Sequence, residues 1–365
     1  MKISIYELKI PFIFAFSHNK ASRKATQTII VKVQDNTNIY GLGEGCPREY
    51  VTRETIDSAI NFFNQYNKNF ESLNTVEKIQ QWMLENQMVI DANPAAWCAV
   101  ECAILDFLSR KENKSIEAYL GLNVLTNQFS YSAVLGSEKI DYFKKTLMQY
   151  KKIGFSDYKL KVSGDLNLDI EKIRLIEGAG IKNIRLDGNN IWSDSNNAIE
   201  YIQALNYPFR AIEEPVGVQD FKSMTAIYEA LEMPIILDES FLSVRDFALL
   251  SENHKGWIIN LRVSKMGGIL RSLSVAELAG KNNIKLIIGS QVGETSILTR
   301  AALTIVNENL GNVIAQEGAF GTYLLQKDIS KHPIMFGRNG QLKTQNFSTR
   351  TGFGINYDET VEKSL

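Results

Sequence analysis

Five residues with ionisable or strongly polar side chains recur at nearly even steps. Lys161, Asp187, Glu213, Asp238 and Arg262 are separated by 187 − 161 = 26, 213 − 187 = 26, 238 − 213 = 25 and 262 − 238 = 24 positions. Lys159 stands two before Lys161, so in an extended strand both amines share one face. Three carboxylates gathered in one place form an all-oxygen site. Hard oxygen donors with room for water and substrate suit Mg²⁺ rather than zinc. Two neighbouring amines repel each other's protons, which lowers the pKa of one and makes a neutral lysine available as a base. The proton beside a carboxylate is a very weak acid. Its removal leaves an enediolate, which a divalent cation stabilises more than it stabilises the ground state. A lysine base with Mg²⁺ across the developing enediolate meets both needs. Any one of these acids alone is accounted for by a helix cap, a turn or a salt bridge, but their regular recurrence is not.

Such a recurrence calls for one strand and one helix per step. Eight short apolar runs fit: 129–135, 158–162, 183–187, 210–214, 235–239, 257–263, 285–290 and 313–317, and a stretch able to form a helix follows each of the first seven. The polar residues fall at the C-terminal ends of these strands, where a barrel of this kind carries its chemistry. Ahead of them, residues 1–45 alternate like strands. Ala96, Val100, Ala103, Ile104, Phe107 and Leu108 then mark one buried helix face. The fold class expected is α/β, a (β/α)7-8 TIM-type barrel at 126–330. An α+β capping domain at 1–125 joins it, and a C-terminal segment at 331–365 packs back on that domain.

Composition narrows the rest. With 40 basic and 41 acidic residues the chain has no electrostatic reason to bind nucleic acid or an anionic membrane. No stretch approaches the roughly 20 apolar residues of a membrane span. The N-terminus lacks the apolar core of a signal peptide, so a cytoplasmic location is expected. Cys46, Cys98 and Cys102 give neither a disulfide framework nor a zinc set and read as small buried side chains.

The motifs Lys159-x-Lys161, Asp187-x-Asn189, Ile212-Glu213-Glu214-Pro215, Asp238-Glu239-Ser240 and Gly267-Gly268 resemble the muconate-lactonizing-enzyme subgroup of the enolase superfamily. The likeness extends to residues 41–45 and to the helix at 99–108. The resemblance implies Mg²⁺, with Mn²⁺ as a substitute, bound by Asp187, Glu213 and Asp238. It implies Lys161 as general base or acid and Lys159 as its electrostatic assistant. It also implies capping loops at about 16–26 and 46–55, carrying His18, Arg23, Arg48 and Tyr50, that select a small carboxylate substrate, and assembly as a homo-oligomer. The expected substrate-binding set is His18, Tyr50, Asn189, Gln291, Glu294 and Glu317. Gln291-Val292-Gly293-Glu294-Thr295 also reads as a helix entry capped by Thr295 or Ser296.

One position departs from the subgroup. Its second catalytic lysine, on the sixth strand, is replaced by Arg262. Arginine keeps its proton and cannot shuttle it, although it can hold a carboxylate or stabilise an enediolate. Strand parity turns Lys265 away from Arg262. No histidine falls near the end of the seventh strand, where the mandelate-racemase branch has one. Gln316-Glu317-Gly318-Ala319-Phe320-Gly321 looks like the cycloisomerases and lacks the Asp-x-Asp of dipeptide epimerases. The expectation is therefore a one-base cycloisomerase or lyase. The alternative is a racemase or epimerase of N-acyl amino acids or dipeptides, and the third reading is a non-catalytic carboxylate-binding protein.

Overall fold

A computed structural model describes residues 1–18, 21–136, 139–250 and 256–358, with the side chains of 15–22 left aside. The N-terminal alternation forms β1 (Lys2–Leu8), β2 (Pro11–His18), β3 (Ala21–Ala25), β4 (Thr28–Gln34) and β5 (Tyr40–Gly45). Strands β1, β4 and β5 make an antiparallel sheet, and β2 and β3 pair as a hairpin. Helices α1 (Glu49–Thr52), α2 (Ile56–Phe70), α3 (Val76–Glu85), α4 (Gln87–Ala92), α5 (Pro94–Lys111) and α6 (Ile116–Leu120) follow. Alternate glycines in β5 let α5 lie directly on the sheet: a Cβ on Gly43 would stand 2.0 Å from the carbonyl oxygen of Ala99. Cys98 and Cys102 are buried free thiols on α5.

After β6 (Gln128–Ser130) comes the alternating region: β7 (Ala133–Leu135), α7 (Ile140–Ile153), β8 (Tyr158–Lys161), α8 (Leu166–Gly178), β9 (Ile184–Asp187), α9 (Ser195–Leu205), β10 (Ile212–Glu213), α10 (Phe221–Leu231), β11 (Ile235–Leu237) and β12 (Trp257–Leu261). Then follow α11 (Val263–Met266), α12 (Ile269–Lys281), β13 (Lys285–Ile288), α13 (Ser296–Glu308), β14 (Val313–Gln316) and β15 (Gln341–Lys343). Strands β7 to β14 form one parallel sheet in sequence order. Its two edges meet through a backbone hydrogen bond from Ser132 N to Gln316 O of 2.7 Å.

Three details differ from the sequence reading. The first expected strand is broken at Tyr131-Ser132, because 128–130 pairs antiparallel with β15 instead of joining the barrel. The fifth strand is followed, among the described residues, by a 3₁₀ turn at Val244–Leu249 rather than an α-helix. The sixth strand ends at Leu261, two residues early, because the chain turns helical at Val263.

Strand parity stacks the barrel interior in layers. Ala211, Ile236, Ile258 and Ile287 form a buried apolar cluster, with Ala315 packed against it. Two residues further along their strands stand Glu213, Asp238, Asn260, Gly289 and Glu317, so an apolar plug underlies a polar ring. The C-terminal run returns to α5 and α6: Phe353 N donates to Asp106 Oδ1 at 2.7 Å, and Ile116 N to Gly352 O at 3.1 Å. No helix among the described residues is long and apolar enough to cross a membrane.

Candidate active site

A cavity of about 400 Å³ opens over the polar ring. It is lined by Tyr50, Lys159, Lys161, Asp187, Asn189, Glu213, Asp238, Arg262, Gln291, Glu294 and Glu317. The fold thus brings together every expected site residue except His18, which ends β2 and whose side chain lies outside the described residues. A larger hollow of about 660 Å³ runs along 330–356; it has no carboxylate in its lining and lies apart from this chemistry.

Each carboxylate in the ring faces a cation. Lys159 Nζ lies 2.6 Å from Glu317 Oε2, 2.9 Å from Glu213 Oε2 and 3.6 Å from Asp187 Oδ2. Burial alone would strip its proton, but Glu213, Glu317 and Asp187 outweigh burial and hold Lys159 above the usual lysine range. The pKa depression expected from two adjacent amines therefore does not fall on Lys159. Lys161 Nζ lies higher in the ring, 3.0 Å from Asp187 Oδ2 and 3.3 Å from Asn189 Oδ1, and faces the cavity. Asn189, held at a φ of 48°, returns its side-chain amide to Asp187 Oδ1 at 2.7 Å and so orients that acid. Burial would raise Asp187, yet Lys161 and Lys159 hold it at about 2. Glu317 is likewise held at about 2 against burial, by Lys159 and Arg185; both its oxygens are committed, with Arg185 Nη1 at 2.7 Å from Oε1.

The sixth strand brings a correction. Lys265 does not point elsewhere. The strand has already turned into α11, so parity no longer applies. From that turn Lys265 Nζ reaches back to donate to Asp238 Oδ1 at 2.9 Å, Asp238 O at 2.6 Å and Asn260 O at 2.8 Å. Burial, and then the charge of Arg262, push it down to about 7. Arg262 itself remains inside the barrel. Its guanidinium is ion-paired with Asp238, lies 3.9 Å from Glu213 Oε1 and donates to Gln291 Oε1 at 3.1 Å.

Several contributors had no signal in the spacing. Glu214 accepts from Asp238 N at 2.7 Å, Ser240 N at 2.8 Å and Ser240 Oγ at 2.8 Å, which fixes the turn that presents Asp238. Asn260 donates to Glu213 Oε1 at 3.0 Å, and Arg185 links Glu317 to Asp157. Strand parity could have found Asn260 and Arg185, since each stands two residues from a ring position. The helix-entry reading of the seventh loop holds: Thr295 is the N-cap of α13, its side chain accepting from Ile297 N.

Asp187, Glu213 and Asp238 end three neighbouring strands, with Glu213 in register opposite Asp187. Among the described residues no three acids converge on one point, because each carboxylate is turned toward a cationic side chain. The Arg262 guanidinium supplies positive charge between Asp238 and Glu213, where the donor set calls for a cation. Three carboxylates with oxygen donors only fit Mg²⁺. Two donors remain over: Gln291 Nε2 and Arg262 Nε are buried without a partner, on residues that line the cavity. An unpaired buried donor is completed by a water, an ion or a ligand oxygen.

Comparisons with known proteins show the family and the fold. Residues 143–361 match the family model described as enolase C-terminal domain-like. The hydrophobic dipeptide epimerase of Enterococcus faecalis is 27% identical over 285 residues, covering 76% of this chain and 78% of the relative. The N-succinyl-L-Arg/Lys racemase of Bacillus cereus is 25% identical over 372 residues, covering 100% of this chain and 96% of the relative. Among solved structures, muconate lactonizing enzyme from Pseudomonas fluorescens complexed with muconolactone superposes with a TM-score of 0.85 at 21% identity, covering 100% of this chain and 98% of that one.

Proposed function

Because the chain belongs to the enolase C-terminal domain-like family, we propose that this enzyme removes the proton α to a carboxylate with Mg²⁺ and inverts the carbon, as a racemase or epimerase of amino acids acylated on nitrogen. The observation that carries the reading is the convergence of Lys161, Asp187, Glu213 and Asp238 on one cavity. The racemase and epimerase relatives favour inversion over the cycloisomerase or lyase expected from Arg262 alone. Glu317 narrows the substrate. Both its oxygens are engaged by Lys159 and Arg185, so it is not free to receive an ammonium group. An N-acyl amino acid without a free amine therefore suits the site better than a dipeptide.

Lys161, at the cavity wall, takes the α-proton. Lys159, paired on three sides, fixes the field around Glu213 and Asp187 and moves no proton. Asp187, Glu213 and Asp238 are the residues that would hold Mg²⁺, or Mn²⁺ in its place. Bound there, the metal would supply positive charge that stabilises an enediolate. The orphan donors on Gln291 and Arg262 receive an oxygen of the substrate, its carboxylate or its acyl carbonyl. Tyr50, from α1, lines the cavity on the side of the N-terminal layer.

The test is incubation with Mg²⁺ in D₂O and a panel of N-succinyl amino acids, dipeptides, muconates and hydroxy acids. Chiral separation and mass spectrometry read each compound, with a chelated control. Deuterium with inversion in N-acyl amino acids, abolished by chelation, is the expected result. Isomerisation or dehydration of a diacid or hydroxy acid, with no inversion elsewhere, would return the assignment to the cycloisomerase or lyase class.

A further inference from the structure

Inversion needs proton exchange on both faces of the α-carbon. Lys161 serves one face. Arg262 takes the position opposite but keeps its proton, and its guanidinium is already committed to Asp238 and Gln291. Resting on the racemase reading, we propose that Glu294 is the second catalytic acid, exchanging a proton with the face of the substrate turned away from Lys161.

Glu294 lines the same cavity as Lys161, from the loop after the seventh barrel strand, whereas Lys161 ends the second. The loop is closed on itself. Glu294 N donates to Gln291 O at 3.1 Å, and Glu294 Oε1 accepts from Gln291 N at 2.5 Å. This fixes one carboxyl oxygen, while Oε2 has no hydrogen-bond partner among the described residues. Three residues earlier on the same loop stands Gln291, which lines the cavity with Arg262; the Gln291 amide nitrogen and Arg262 Nε are both buried without a partner. A substrate oxygen received by those donors brings the rest of the substrate to Glu294.

The protonation state suits the role. Burial pushes Glu294 up to about 8; the charge of Glu44 adds to this, against the hydrogen bond from Gln291 and the charges of Arg262 and Arg48. The carboxyl therefore carries a proton near neutral pH. In one direction the Lys161 amine takes the α-proton. Glu294 then delivers its own proton to the opposite face and becomes a carboxylate: one C–H bond breaks and one forms. The reverse direction exchanges the two roles, and each group recovers its starting state by exchange with water.

Glu294→Gln keeps size and polarity but removes the proton relay. The experiment follows deuterium uptake and inversion of both enantiomers of an N-succinyl amino acid panel in D₂O with Mg²⁺, using wild type, Glu294→Gln and Lys161→Ala. Wild type exchanges and inverts both enantiomers. Glu294→Gln should lose inversion by about a hundredfold or more and still exchange the enantiomer whose proton faces Lys161. Lys161→Ala should exchange only the other enantiomer. Unchanged inversion in Glu294→Gln overturns the assignment alone, and so does loss of exchange from both enantiomers with Mg²⁺ binding intact. A wild type that exchanges the α-proton without inverting any compound overturns the racemase reading and the assignment with it.

Discussion

Buried acids behave in opposite ways in two parts of this molecule. In the polar ring of the barrel, Asp187 and Glu317 are held at about 2. Where the N-terminal layer meets the barrel, Glu44 and Glu101 are pushed up to about 7 and about 8, and Glu54, within the layer, to about 7. The second group is not short of hydrogen bonds. Glu101 accepts from Ile269 N at 2.5 Å and Leu270 N at 3.0 Å, completing the start of α12 where Gly268 has no side chain to cap it. A Cβ at Gly268 would stand 2.3 Å from Glu101 Oε2, so that close approach requires glycine. Glu44 accepts from Thr295 N and Leu298 N at α13, and Glu54 from Ala95 N and Ala96 N at α5. The difference lies in the partners. Backbone N–H groups satisfy the oxygens but do not offset the cost of burying a full charge, whereas the lysines and arginines of the ring do.

The comparison can be broken most forcefully at Lys159. Lys159→Ala leaves Glu213 and Glu317 buried without their central cation, and should cost the metal-free protein about 3–5 kcal/mol in denaturant unfolding. It should also move acid unfolding. Glu317 has its folded pKa depressed from 4.5 to about 2, so its stabilising contribution is complete above 4.5 and is lost as pH falls through about 2. Without Lys159 that loss should begin at higher pH. Acid unfolding and unfolding free energy both equal to wild type would show that the ring does not depend on this cation.

A smaller effect sharpens the other side. Glu101 has its folded pKa raised from 4.5 to about 8, so between these values the folded chain holds a proton that the unfolded chain has released. Stability therefore falls as pH rises through that window. In Glu101→Gln the slope of Tm against pH between about 5 and 8 should flatten relative to wild type. An unchanged slope would mean that the helix N-terminus offsets the charge after all.

The barrel was legible because one strand and one helix per unit bring each strand end to the same height. Spacing alone gathered Lys161, Asp187, Glu213, Asp238 and Arg262, and parity placed Lys159 beside them. Parity then misled at Lys265, where the backbone leaves the strand and a helical turn swings the amine back onto Asp238. The caps contributed by Glu44 and Glu101 were illegible for another reason. Their partners lie 251 and 168 residues away, and no local spacing links either acid to them. The role of the seventh loop was half legible. Thr295 announces a helix start, but the orphan donors on Gln291 and Arg262 emerge only once neighbouring strands are assembled.

The central claim is that Lys161 moves the α-proton while the three strand-end acids bind the metal independently of it. The direct measurement is Lys161→Ala, with Mg²⁺ affinity from calorimetry and α-deuterium uptake from mass spectrometry on an N-succinyl amino acid. Unchanged Mg²⁺ affinity, with racemisation slowed by about a hundred- to ten-thousandfold, is the predicted result. Wild-type turnover in that variant would contradict the account.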